Sequence, residues 1–341
     1  MDFYYQRSAY DYELPEELIA KEPLLERDLS RLMIIDRSSG NISEIVFRDL
    51  VHLLKAQDRL IFNNTKVLPA RLYGKKDTGA KVELLLIKQV DKDIWKTLAR
   101  PGKKLPEGTK IQIAPSFEAE MVGTLENGEK LVRFHHEGSL IDALKQYGQM
   151  PIPPYMKREA NRLDATRYQT VYANALGAIA APTAGLHFTE EMLQKLSQKG
   201  IKQTFITLHV GYGTFQPMTV TDIREHQMHS EFYSISEEAS LELNDTSTKK
   251  ICVGTTTCRA LETACVQSKI NHGDLDTNIF IYPGYQFRYV EALLTNFHLP
   301  QSSLLMLVSA FGGYDLIREA YQKAVKEKFR FFSYGDAMLI L

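Results

Sequence analysis

The chain has 341 residues, 44% apolar and 24% charged, ordinary proportions for a folded globular protein and too rich in apolar residues for disorder. The N-terminal run Met1-Asp2-Phe3-Tyr4-Tyr5-Gln6-Arg7 has no apolar signal region, and the longest strongly apolar stretch, Leu304 to Phe311, is too short to span a bilayer, so a cytoplasmic protein is expected. The net charge of −1 hides an asymmetry: Lys66 to Lys110 holds twelve basic and five acidic residues, a net +7 that leaves −8 for the remainder.

In chain order, the first sixty residues predict strands over Arg31 to Asp36 and Ile42 to Val46 joined by Ser38-Ser39-Gly40-Asn41, a helix over Phe47 to Lys55 and a strand over Arg59 to Phe62. Six β-rich runs follow: Ala70 to Gly74, Lys81 to Gln89, Ile94 to Arg100, Lys110 to Ile113, Glu118 to Thr124 and Lys130 to Phe134. Their Gly, Asp and Asn turns leave no room for crossover helices, so residues 66–149 are expected to form a small antiparallel β-barrel inserted into a discontinuous α/β domain of residues 1–65 and 150–341. After a helix at Leu140 to Tyr147 and the proline-rich 150–155 segment, helices are expected at Glu190 to Lys199, Glu237 to Asn244, Thr257 to Gln267, Ser303 to Phe311 and Asp315 to Lys326. Strands are expected at Ala178 to Ala181, Gln203 to Val210, Lys250 to Val253, Asn278 to Tyr282, Ala292 to Asn296 and Ala337 to Leu341. The fold class is therefore α/β, a largely parallel sheet or distorted barrel with helices, interrupted by the inserted barrel.

Six glycine- or histidine-bearing segments border apolar runs, around His187, His209, Gly254, Gly284, His298 and Gly335. A βα architecture presents its chemistry at strand ends, so these loops are expected to share one composite site. Gly211 and Gly213 follow a strand, but Gln216 and Pro217 break a dinucleotide fingerprint; the pair reads as a turn that lets a nucleoside lie against backbone, or as a structural bend. Glu225 to Glu231 packs His226, His229 and two carboxylates into seven residues. A histidine–carboxylate acid/base pair, or else a satisfied structural network, fits this spacing better than a metal site, for which no third ligand stands at a familiar distance. Thr256, Arg259 and Glu262 open a helix whose free N–H groups suit a carboxylate or phosphate, with ordinary capping and an i, i+3 ion pair as the plainer alternative. Cys252, Cys258 and Cys265 match neither a zinc-knuckle nor a disulfide pattern and are expected to be buried thiols. The basic 66–110 segment suits a polyanion, or is a solvated lysine-rich face.

Longer motifs carry a resemblance. Asp28-Leu29-Ser30-Arg31-Leu32, Ala70-Arg71-Leu72, Arg167-Tyr168-Gln169-Thr170-Val171-Tyr172, Ala181 to Phe188, Leu208-His209-Val210-Gly211, Met228-His229-Ser230-Glu231, Thr295 to Pro300 and Phe332 to Met338 together resemble the S-adenosylmethionine:tRNA ribosyltransferase-isomerases of queuosine biosynthesis, end to end. The resemblance implies an α/β domain with an inserted barrel, no metal, and transfer with isomerisation of the ribosyl group of S-adenosyl-L-methionine, as co-substrate, onto 7-aminomethyl-7-deazaguanine (preQ1) at the tRNA wobble position. Epoxyqueuosine tRNA forms, and adenine and methionine are released. It implies His187, His209 and His229 for proton transfers with Glu231 orienting, and Thr183, Gly185, Gly211, Gly213, Thr256, Arg259, Glu262, Asn296, His298, Ser333, Tyr334 and Asp336 holding the substrate. Lys75, Lys76, Lys103, Lys104, Lys157 and Arg158 would contact the anticodon arm, with the protein acting as a monomer. The sequence departs from the pattern at Asn64, where Asp is usual, at Tyr212, where a small residue is usual, and at Glu291, where Asp is expected. A methyltransferase using the same co-substrate on RNA, or a non-catalytic RNA-binding protein, are the competing readings; the absent glycine fingerprint disfavours the first, and six polar loops without a purpose disfavour the second.

Overall fold

In the computed structural model, residues 3–211, 213 and 218–341 are described. A nine-stranded mixed sheet organises the larger part. Across it the order is Gly273–Thr277, Glu231–Ile235, Lys202–Leu208, Asp58–Asn63, Lys249–Val253, Ala292–Asn296, Ala337–Ile340, Arg31–Ile35 and Ile42–Val46. The four strands from Lys202–Leu208 to Ala292–Asn296 run parallel, as do Ala337–Ile340 and Arg31–Ile35; the remaining neighbours are antiparallel. The sheet is thus open rather than closed into a barrel. The Asp58–Asn63 strand is buried along its whole length, as a strand covered on both faces must be.

Two apolar cores cover the faces. One gathers Phe47, Leu60, Phe62, Phe188, Leu196 and Val253; the other gathers Ile61, Cys252, Phe297, Met306, Tyr321 and Met338. Residues 60 and 62 enter one core and 61 the other, the two-residue alternation of a strand. Four helices start where the sequence places them: the hydroxyls of Ser139, Thr189, Ser236 and Ser302 each accept from the backbone N–H three residues on. No helix among the described residues is long and apolar enough to cross a membrane, and all three cysteines are buried and free.

The six expected antiparallel strands close into a barrel: Arg71–Lys75, Lys81–Asp91, Ile94–Arg100, Lys110–Ala114, Phe117–Thr124 and Lys130–His136. Its core, with Leu84, Trp95, Ile111, Phe117 and Phe134, also takes in Ile179 from the larger part. Gln169 ties the entry chain down, accepting from the Val67 N–H and donating to the Val67 carbonyl, each at 3.0 Å.

Two expected strands need correction. Asn278 to Tyr282 is not a strand; the edge strand is Gly273–Thr277, five residues earlier. The apolar 278–282 run mimics a strand, but its residues pack irregularly on the core, with Ile281 buried. The true edge strand pairs on one side and carries Asp274, Asp276 and a half-exposed Leu275, so it shows no apolar alternation. Its neighbour, Glu231–Ile235, is a further strand, which begins at the last residue of the histidine–carboxylate motif. The short expected strand at 178–181 instead lies at Ala175–Ala178, parallel to Thr65–Val67.

Candidate functional site

Strand direction alone collects the polar motifs. Asn63, Leu208, Val253 and Asn296 are the last residues of the four central parallel strands, so Thr65, His209, Gly254 and His298 follow at one edge of the sheet. Ala337 opens a strand antiparallel to Ala292–Asn296 and pairs with Asn296, which brings Asp336 to the same edge. Glu231 begins the strand antiparallel to Lys202–Leu208 and arrives there too. A cavity of about 660 Å³ opens at this edge, and Thr183, Val210, Met218, Thr255, Thr256, Asn296, His298 and Ser333 are among its walls. Ligands of open α/β sheets bind outside the carboxyl ends of the strands, and the cavity occupies that place.

The three candidate histidines have different surroundings. His187 is buried between Ser30, 2.7 Å from Nδ1, and Asn296, 3.1 Å from Nε2, with its ring stacked 4.8 Å from Phe47. The Asn296 amide group facing it also donates to the Phe332 carbonyl at 3.0 Å and so must be the NH₂ end. His187 Nε2 therefore accepts, and Nδ1–H donates to Ser30 Oγ. Burial, reinforced by Arg27 and Arg330, pushes its pKa down to about 3 and keeps the ring neutral. With both nitrogens engaged, His187 holds its neighbours in place and has no lone pair to offer a substrate proton.

His209 is half-buried. Its Nδ1 lies 2.8 Å from Thr65 Oγ1, its ring stacks on Phe232, and burial lowers its pKa. A Cβ at Gly177 would stand 2.7 Å from the ring, so the glycine is what lets the histidine settle there. His229 is exposed, and its ring lies against Gly213 so closely that a Cβ there would stand 2.4 Å away. That glycine belongs to the 211–218 segment, which joins the cavity-lining Val210 and Met218.

Glu231 links this segment to the helix Thr255–Ala264. Its Oε1 accepts from the Gly211 N–H at 3.0 Å, and its Oε2 accepts from Arg259, both side chains being buried. Arg259 also donates from Nε to the Ile279 carbonyl at 3.1 Å. The expected i, i+3 pairing of Arg259 with Glu262 is therefore replaced by a pairing across the fold. Glu262, expected at the ligand, accepts instead from Tyr285 and from the N–H groups of Arg288, Tyr289 and Val290, holding that loop.

Other expected contacts are redirected in the same way. Asp336 accepts from the Arg31 and Arg330 N–H groups at 2.8 and 2.7 Å and does not line the cavity. Tyr334 donates to the buried Asp164 at 2.8 Å. Gly185 is required by packing, because a Cβ there would strike the Tyr172 hydroxyl. Ser333 does line the cavity and takes the Tyr155 hydroxyl on its Oγ. His298 lines it as well, buried, neutral with its pKa pushed down to about 3, and 3.1 Å from Thr295 Oγ1. At position 64 the Asn amide accepts from Thr207 at 2.7 Å, which an Asp carboxylate could do equally. Glu291 accepts from the Lys250 N–H at 2.8 Å. Tyr212 lies outside the described residues. Among those residues no three His, Cys, Asp or Glu side chains gather as metal ligands.

Of the basic residues, Lys76 donates to the Lys104 carbonyl at 3.2 Å, so Lys75 at the end of one barrel strand and Lys76 just beyond it meet the Lys103-Lys104 turn that follows the Ile94–Arg100 strand. Arg158, expected to face nucleic acid, forks instead onto the buried Asp164 at 2.6 and 2.8 Å and also bonds the carbonyls of Lys21 and Glu159. Lys157 precedes it and Arg162 follows nearby, but a buried carboxylate six residues on claims it. Lys157 pairs with Glu16 at the surface, 2.7 Å away. Sequence reasoning passed over Arg27, which lines a narrow cleft beside His187 together with Arg167, and neither has a carboxylate partner among the described residues.

Residues 7–340 match the family described as queuosine biosynthesis protein. The chain is 49% identical over 336 residues to an S-adenosylmethionine:tRNA ribosyltransferase-isomerase of Trichlorobacter lovleyi, covering 97% of this chain and 98% of the relative. It is 47% identical over 337 residues to a protein of the same description from Clostridioides difficile, with the same coverage. The crystal structure of S-adenosylmethionine tRNA ribosyltransferase from Thermotoga maritima is similar at 39% identity with a TM-score of 0.57, over 98% of this chain and 100% of that one.

Proposed function

This chain belongs to the queuosine biosynthesis protein family, and from that membership we propose how the strand-end cavity carries the reaction. The activity is that of an S-adenosylmethionine:tRNA ribosyltransferase-isomerase; the methyltransferase and simple RNA-binding readings fall with it. The observation that carries the assignment to this site is the convergence of the Thr183, Thr256, Asn296, His298 and Ser333 segments on one 660 Å³ cavity.

S-adenosylmethionine occupies the cavity, with Thr255 and Thr256 at a helix start where unpaired N–H groups suit the methionine carboxylate. The sulfonium acidifies the hydrogens on the adjacent ribose carbon. His229 removes one of them, being the candidate histidine that is exposed and laid against the glycine segment. Adenine leaves, the ribose carbons rearrange onto the preQ1 aminomethyl nitrogen of tRNA, and a ribose oxygen displaces methionine to close the epoxide. Glu231 acts on the same segment, fixing Gly211 to the Arg259 helix. The lysines at the barrel end, with Arg27 and Arg167, meet the phosphates of the anticodon arm.

Incubating the protein with preQ1-bearing tRNA and S-adenosylmethionine tests the reading by mass spectrometry. Expected are epoxyqueuosine tRNA, free adenine and methionine, at a rate EDTA leaves unchanged. S-adenosylhomocysteine as product, or no product, would overturn it.

A further inference from the structure

The amide of Asn296 is fixed in orientation and left with one unanswered group. Asn296 is 2% exposed and lines the cavity. Its nitrogen donates to the Phe332 carbonyl and to His187 Nε2, and these two acceptors rule out the flipped amide. Its oxygen, Oδ1, is buried with no hydrogen-bond partner. An unanswered buried acceptor costs about 1–3 kcal/mol, so the fold maintains this one against its own stability. Several groups hold it so: Ser30 Oγ accepts from His187 Nδ1–H, Phe47 stacks on the ring, and burial prevents the ring from gaining a proton that would turn Nε2 into a competing donor.

We propose that Asn296 Oδ1 accepts a hydrogen bond from the exocyclic amine of the adenine in the nucleoside donor, making Asn296 a specificity-determining residue and His187 the positioning residue behind it. The inference rests on the cavity being the S-adenosylmethionine site. Three features favour the purine amine over the other N–H group of the co-substrate, the methionine ammonium. The Asn296 amide hangs from the carbonyl of Phe332, whose ring stacks 4.4 Å from Tyr155 and forms an aromatic wall suited to a flat base. The cavity lining as a whole is more apolar than polar, with Ala181, Pro182, Ala184 and Phe297 among it. No Asp or Glu is among the described lining residues, so a full cation would be buried there without a counter-charge, at far greater cost than a neutral amine. The bond also persists as the base departs, because the leaving adenine keeps its amine.

The test compares donors. S-adenosylmethionine and its 6-oxo analogue, S-inosylmethionine, are supplied to the native protein with preQ1-bearing tRNA, and release of adenine or hypoxanthine is followed. The analogue presents an acceptor to Oδ1, so kcat/KM should fall by at least about 100-fold. In Asn296→Ala and Asn296→Ser the preference should shrink to within about tenfold, mainly through poorer use of S-adenosylmethionine. Thermal unfolding establishes that the variants are folded; if neither is, the native ratio decides. In His187→Phe, which removes one of the two acceptors that hold the Asn296 amide, the preference should weaken while tRNA affinity stays unchanged. Equal use of both donors by the native protein, or full preference retained in folded Asn296→Ala, overturns the assignment. Failure to release adenine from S-adenosylmethionine at all overturns the reading of the cavity, a distinguishable result.

Discussion

On the barrel, Lys75, Lys103 and Lys104 stand in solvent with no carboxylate within reach among the described residues; at the strand ends of the large sheet, Arg259, Glu231, His187 and Asn296 are buried and bonded on at least one side. The two regions use polar groups for opposite ends. Exposed charges act over a Debye length of about 8 Å and are tuned by salt, whereas buried groups act only at contact distance, where a misplacement of an ångström is felt. The barrel can therefore attract a polyanion of any sequence, and the sheet edge can discriminate atoms. Each contrast can be broken by experiment.

The largest expected effect is at the sheet edge. His229→Ala should cost about 10²- to 10⁴-fold in turnover, the usual worth of a positioned general base, while tRNA and S-adenosylmethionine still bind. With deuterium on the ribose carbon beside sulfur, wash-out into solvent should be seen with the native protein and vanish in the variant. Wash-out that survives there and vanishes in His209→Ala would move the base to the half-buried histidine.

Next is the buried pair. Arg259→Leu removes the guanidinium from the buried Glu231 carboxylate and should cost about 3–5 kcal/mol in urea unfolding, whereas the double variant with Glu231→Leu should recover much of it. A single variant no less stable than the native protein would show that solvent reaches Glu231 freely.

A smaller effect is pH-dependent. Folding lowers the pKa of both His187 and His298 from 6.5 to about 3, so the unfolded chain binds more protons and stability rises with pH through that interval. Their contribution is whole above pH 6.5 and is lost on acidification at about 1.4 kcal/mol per pH unit for each ring. His209 and His226, also lowered by burial, add to the same trend. Between pH 6.5 and 5, His298→Phe should show a shallower loss of stability than the native protein; an identical slope would mean the ring is wetter than its packing indicates.

These effects divide along what a sequence can display. The barrel was legible because its six strands are local hairpins, each bounded by a glycine or by Asp and Asn. The sheet's polar edge was legible as a set of motifs, but not as bonds: Ser30, His187 and Asn296 meet across 157 and 109 residues. No spacing rule reports that His187 is clamped on both sides, that Arg259 reaches Glu231 rather than Glu262, or that Arg158 is claimed by Asp164. Arg27 went unmarked because its lack of a counter-charge is a property of the folded surface. Motif density located the site, while the division of labour inside it depended on long-range packing.

The smallest effect tests the barrel's side of the contrast. Lys76 and Lys104 are joined by a hydrogen bond, and Lys75 and Lys103 adjoin them, so the four ammonium groups form one cationic end on a segment of net +7. Each phosphate contact releases condensed counterions, and its removal should lower the slope of log affinity against log salt by roughly one. Replacing all four lysines by Ala should therefore weaken tRNA binding at low salt, flatten the slope and leave S-adenosylmethionine affinity unchanged. Near 0.2 M salt, variant and native protein should converge, because screening already removes most of what these groups supply. Arg27→Ala with Arg167→Ala should instead weaken binding at every salt concentration, since half-buried guanidinium groups are screened less than lysines in open solvent. An unchanged slope in the quadruple variant would make the barrel end a solvated face and shift the tRNA contact to the arginine cleft beside His187.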